Sequence, residues 1–93
     1  MIHVYVVERA KERLSVARGL RLQIRAGEAP DGYEVARQIE ALSLSLEELM
    51  TPYSGLYSSN LVEPDRGLTQ RLRTEMINLV ETAVNGAKSK VTA

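Results

Sequence analysis

Apolar side chains at Val7, Ala10, Leu14, Ala17, Leu20 and Ile24 recur at steps of three and four, which traces one stripe along a helix. The spacing predicts a first helix over residues 7–26. Gly27 is its natural stop, because glycine takes the left-handed conformation without a Cβ penalty. Two features pull the other way. Gly19 lies in the interior, where glycine costs about 1 kcal/mol relative to alanine. The run Leu20-Arg21-Leu22-Gln23-Ile24-Arg25 also alternates as a strand does. The rival is a strand over 2–7, a short helix over 8–18 and a strand over 20–25. The long helix is preferred, since an isolated pair of strands is a poor core builder. Residues 2–7 could still be extended and pair with a second copy.

A second helix has the clearest start. Asp31 can accept from an N–H two or three residues on, and Glu34 can reach back to the N–H of Asp31, as in a capping box. Val35, Ile39, Leu42, Leu46 and Leu49 follow at steps of four, three, four and three. Ser45 and Glu48 form a second possible capping box, so the helix could break and restart there. Pro52 ends it. Residues 51–64 read as a loop punctuated by two prolines, a glycine and several serines. A third helix opens near Asp65. Leu68, Leu72, Met76, Leu79 and Ala83 form its stripe, with Gly86 as the stop. Residues 87–93 lack periodicity and read as a flexible tail.

The expected fold is therefore all-α, an antiparallel three-helix bundle over residues 1–86 with room for a short extended N-terminal segment. The inward positions would be Val7, Leu14 and Ile24, then Val35, Ile39, Leu42, Leu46 and Leu49, then Leu68, Leu72, Met76 and Leu79. Tyrosine is the only aromatic type, so the core must be aliphatic, and twelve leucines supply most of it. Such a core barely outweighs chain entropy in a domain of 93 residues. Val16, Leu22, Leu44, Val80 and Val84 fall off the stripes and could form a contact between copies, so a homodimer is expected.

Charge sharpens this picture. Twelve basic and twelve acidic residues give a formal charge of zero, which disfavours a general nucleic-acid coat or a polybasic membrane binder. The balance is blockwise: +4 over residues 1–27, −7 over 28–65 and +3 over 66–93. Basic and acidic segments can then neutralise one another when packed side by side, or pair between chains. No apolar run approaches the roughly 18 residues of a membrane span. The apolar N-terminus has no basic leader, which points to a cytoplasmic protein without a secretory signal.

Candidate chemistry is sparse. With no cysteine, thiolate catalysis and zinc fingers are excluded. His3 is the only histidine and reads as a surface or edge-strand residue. Glu34, Glu40 and Glu47 fall near one side of the second helix and read as a solvated acidic face, with Arg37 bridging Glu34 or Glu40. No calcium-type loop, phosphate loop, nucleophile elbow or zincin motif occurs, so no cofactor or metal is expected. Lys11, Arg18, Arg21 and Arg25 form a basic stripe at spacings of seven, three and four, with Arg9 and Arg13 on a flank. The stripe could track phosphates, or meet the acidic second helix, or face solvent.

Three functions compete. The leading expectation is a non-catalytic interaction protein, an adaptor, inhibitor or regulator. Its partner surface would be Tyr53, Leu56, Tyr57 and Leu61, because tyrosine offers large contact area with few rotors. The second is a small DNA-binding regulator. A weak helix-turn-helix would place helices at 34–42 and 46–50, a turn at 51–53 and a recognition helix at 54–61. That last segment has no Arg or Lys. The third is a small enzyme built from Arg18, Arg25 and Glu40 around an anion.

Overall fold

A computed structural model describes residues 2–50 and 66–92. Three helices account for most of them: α1 at Ile2–Arg25, α2 at Gly32–Met50 and α3 at Arg66–Thr92. Each packs against the other two, so the chain is an all-α three-helix bundle. Successive helices run antiparallel, which leaves α1 and α3 parallel. The radius of gyration is 15.4 Å. A compact globule of this length would give about 12 Å, so the bundle is a rod.

The alternating run over 20–25 is helical, and so are residues 2–7. The strand rival and the extended N-terminal segment are both overturned, and His3 sits in the first turn of a helix rather than on an edge strand. What decided against alternation is the longer repeat. Val6, Ala10, Ala17 and Ile24 are buried, and each is seven residues, or four of a seven, from the next. Leu14 and Leu20 pack beside them. A strand over 20–25 would have broken that seam.

Gly27 ends α1 as expected. Its φ is +111°, and it donates to the Ile24 carbonyl at 3.1 Å. Glu28 donates to the Gln23 carbonyl at 3.1 Å, which completes a Schellman cap. Asp31 then caps α2: its Oδ1 accepts from the Tyr33 N–H at 3.0 Å, and its carbonyl accepts from the Val35 N–H at 2.9 Å. The reciprocal half of the capping box is not made. Glu34 instead accepts from Gln38 Nε2 at 3.0 Å and from Arg37 Nη1 at 3.4 Å. No break follows at Ser45 either. Its side chain is fully buried in an unbroken helix.

The expected inward residues are all in the core or packed against it. Polar residues share the seam, which apolar periodicity does not reveal. On α2 the buried row is Val35, Gln38, Leu42, Ser45 and Leu49; on α3 it is Leu68, Leu72, Glu75 and Leu79. Both rows advance by threes and fours. Val16, Leu22, Leu44, Val80 and Val84 are exposed, as their off-stripe positions imply.

Gly86 does not stop α3, which continues to Thr92. It is a packing position instead. A Cβ there would meet Ile24 Cγ2 at 3.0 Å and Pro30 Cδ at 3.5 Å. A Cβ there would press on the Ile24 methyl, which must give way by a few tenths of an ångström, while its contact with Pro30 would be ordinary.

The two interior glycines therefore respond oppositely to substitution. Gly19 has open space around it, so Gly19→Ala raises stability by about 0.5–1 kcal/mol through helix propensity. Gly86→Leu overpacks the Ile24 contact and lowers stability by about 1–3 kcal/mol. Urea denaturation followed by circular dichroism measures both.

Candidate functional site

The basic stripe is assembled on one flank of α1 and borders a groove against α3. Lys11, Arg18 and Arg25 stand seven residues apart, about 10.5 Å along the helix per step. The upper part of the groove, about 480 Å³, is bounded by Lys11 and Arg18 from α1 and by Arg71, Thr74 and Asn78 from α3. The lower part continues past Arg25 to Glu81, Asn85 and Gly86. Leu14 lies in its wall above and Ile24 below. The surface is a channel open to solvent between two parallel helices.

Arg21 belongs to the groove but serves a different purpose. Its Nε donates to Glu75 Oε2 at 2.7 Å, and its Nη2 donates to Oε1 at 3.2 Å. This is the two-pronged fork that a guanidinium makes with a carboxylate. Both partners are largely withdrawn from water, at 15% and 8% side-chain exposure. Glu75 occupies a seam position of α3, so Arg21 answers a carboxylate that the helix register forces inward. Nothing in the charge pattern of α1 alone distinguishes Arg21 from its three neighbours. The signal lay on α3, where Leu68, Leu72 and Leu79 place Glu75 in phase with the leucines.

The opposite flank of α1 meets α2. Arg13 donates to Ser45 Oγ at 2.8 Å and to Glu48 Oε1 at 3.3 Å, and Arg9 reaches Glu48 Oε2 at 3.4 Å. Neutralisation between the first and second charge blocks is thus carried by Arg9 and Arg13, not by the stripe. Lys11, Arg18, Arg25 and Arg71 make no ion pair among the described residues.

Other sequence candidates fare differently. Arg37 bridges Glu34 at 3.4 Å on the exposed face of α2 and lies 6.0 Å from the centre of the Tyr33 ring. Glu40 is exposed on α2 and borders neither part of the groove, so it does not join Arg18 and Arg25 in one site. The 34–42 and 46–50 segments of the helix-turn-helix are one continuous helix. Its turn and recognition segment lie outside the described residues, as do Tyr53, Leu56, Tyr57 and Leu61. Among the described residues no group of three or more His, Asp or Glu is placed to hold a metal ion. None of the described helices is long and apolar enough to cross a membrane.

Two of the off-stripe residues expected at a contact between copies, Val80 and Val84, are joined on α3 by Ile77, which the sequence reading did not single out. Ile77 is 59% exposed, Val80 43% and Val84 46%. They advance by three and four along the side of the helix turned from the core, and form a second apolar row. No family model, curated protein or solved structure matches this chain.

The buried fork gives a sharp expectation. Arg21→Met alone strands the Glu75 carboxylate and lowers stability by about 3–5 kcal/mol. Arg21→Met combined with Glu75→Leu recovers most of that loss, because the pair is replaced by apolar volume. Chemical denaturation of the single and double variants measures the difference. Equal loss in both would mean that the ion pair itself holds α1 to α3.

Proposed function

We propose that the chain is a non-catalytic protein–protein interaction module that acts as a homo-oligomer, joined through the outer face of α3. The observation that carries the reading is the exposed row of Ile77, Val80 and Val84. Single exposed apolar residues are ordinary on protein surfaces. Three β-branched side chains in helical register on one face form a continuous strip, and strips of this kind mark contact surfaces. An isologous contact about a two-fold axis sets each strip against its copy in antiparallel order. The thin aliphatic core supports the same reading, since a second copy adds buried area that a small bundle lacks.

The strip from Ile77 to Val84 is only about 10 Å long. Its contact area falls at the small end of specific interfaces, so the dimer is weak and concentration-dependent. Static light scattering over a dilution series tests it. The apparent mass rises from 10.3 kDa towards twice that value as concentration increases. Val80→Glu holds the protein at 10.3 kDa throughout, with an unchanged helical circular dichroism spectrum. A wild-type mass of 10.3 kDa at every concentration refutes self-association.

A second reading is nucleic-acid binding. The one observation in its favour is the row of α1 cations without an ion pair among the described residues. The zero formal charge and the acidic exposed face of α2 weigh against it.

A further inference from the structure

Lys11, Arg18 and Arg25 border the α1–α3 groove without an ion pair among the described residues, and their spacing is regular. On α1, Lys11, Ser15, Arg18, Leu22 and Arg25 recur at steps of four, three, four and three. That is the interval at which one helix meets another. Lys11, Ser15, Arg18 and Arg25 line the groove, Leu22 lies just outside that lining on the same flank of α1, and the row is separate from the buried seam of Val6, Ala10, Ala17 and Ile24. Its members are exposed, and Leu22, at 49% exposure, supplies an apolar contact between Arg18 and Arg25. Arg71 adds a cation from the facing edge.

The molecule already contains the interaction that this surface would make. The other flank of α1 receives an acidic helix: Arg9 and Arg13 both engage Glu48 of α2, while Ser45 sits between the helices. α1 therefore has two cationic flanks. One is answered by carboxylate within the chain, and the other is not answered among the described residues. We propose that the α1–α3 groove docks an acidic helical segment of a partner protein, with carboxylates recurring every seven residues and an apolar residue set against Leu22. The proposal deepens the interaction-module reading by stating the chemistry of the partner. It does not depend on self-association through α3.

A helix fits better than a nucleic acid for three reasons. Cations about 10.5 Å apart match heptad carboxylates, whereas each strand of a duplex carries a charge every 3.4 Å or so along its axis. Glu81 on the facing edge would repel a continuous phosphate backbone at the Arg25 end, whereas a helix can set one carboxylate over Arg25 and a neutral or basic residue opposite Glu81. An overall charge of zero also supplies no long-range field to draw in a polyanion.

The test is fluorescence anisotropy with the full chain and three probes at low salt. The first is a labelled helical peptide of about 21 residues carrying Glu at every seventh position with Leu between. The second is a scrambled peptide of the same composition, and the third a short DNA duplex. The ordered peptide binds; the scrambled one binds at least about tenfold more weakly, because its carboxylates no longer align. Arg18→Glu weakens binding by about tenfold or more, and a peptide with Lys replacing the facing Glu recovers it. Arg37→Glu changes the net charge equally but lies off the groove, and leaves binding unchanged. Val80→Glu also leaves binding unchanged, which separates this site from the α3 contact. Equal binding of both peptides, loss with Arg37→Glu equal to that with Arg18→Glu, preference for the duplex, or no binding at all would each overturn the proposal. A dimer that persists beside any of these results leaves the module reading standing without the groove.

Discussion

The register of α3 turns a carboxylate inward, and the bundle is arranged around the need to answer it. Glu75 lies in line with Leu68, Leu72 and Leu79 and is 7% exposed. An uncompensated charge at that depth costs several kcal/mol, a large share of what a domain this small can have. Arg21 removes the cost with a two-pronged contact that tolerates little sliding or rotation. Aliphatic side chains alone would pack acceptably in more than one register, because dispersion and burial are not directional. The fork admits one. On the other side of α1 the Arg13 bonds to Ser45 and Glu48 act in the same way. α1 is thus held by a polar contact on each flank, and its apolar seam fills the space between.

Small residues determine how near the helices can come. Ala10 and Ala17 are fully buried on α1, while Leu42, Leu72 and Leu79 are fully buried on its neighbours. Setting small side chains on one helix against large ones on the others fills a core without aromatic groups. Gly86 extends the scheme to the end of the rod, where a Cβ would sit tight against the Ile24 methyl. The same economy explains the exposed row on α3. Three helices of 24, 19 and 27 residues provide more apolar surface than one narrow seam can enclose. Part of the surplus lines up in that strip, and the rest is spread over the other two helices, at Val4, Tyr5, Val16 and Leu22 on α1 and at Tyr33, Leu44 and Met50 on α2.

Much of this architecture could be read in the chain, because apolar spacing reports burial directly. The stripe through Val7, Leu14 and Ile24, the cap at Asp31 and the left-handed Gly27 each depend on neighbours a few residues away. What failed were residues whose role is set by another helix. Ser45 and Glu48 look like a cap in isolation, and only the approach of Arg13 makes Ser45 an acceptor in the middle of a helix. Gly86 looks like a terminator, and only the nearness of Ile24 makes it a packing residue. Arg21 looks like one of four equivalent cations. A count of apolar positions is blind to Ser45 and to the Glu75 that selects Arg21, since a polar residue in the seam registers as a gap in the stripe.

That blindness bears on function. The blockwise charge pattern invites the idea that basic and acidic segments cancel wherever they touch. Cancellation is selective. α2 presents Glu48 to Arg9 and Arg13, and α3 presents Glu75 to Arg21 alone. Helical geometry explains the choice: Arg21 is four residues from Ala17 and three from Ile24, so it sits at the edge of the buried seam. Lys11, Arg18 and Arg25 are rotated further round and cannot reach a seam carboxylate without leaving their own face. Their charge is left over by the same rotation that secures the fold. A helix that must keep Arg21 inward therefore carries a cationic edge outward, and the groove beside that edge is where a partner's carboxylates would find the least competition.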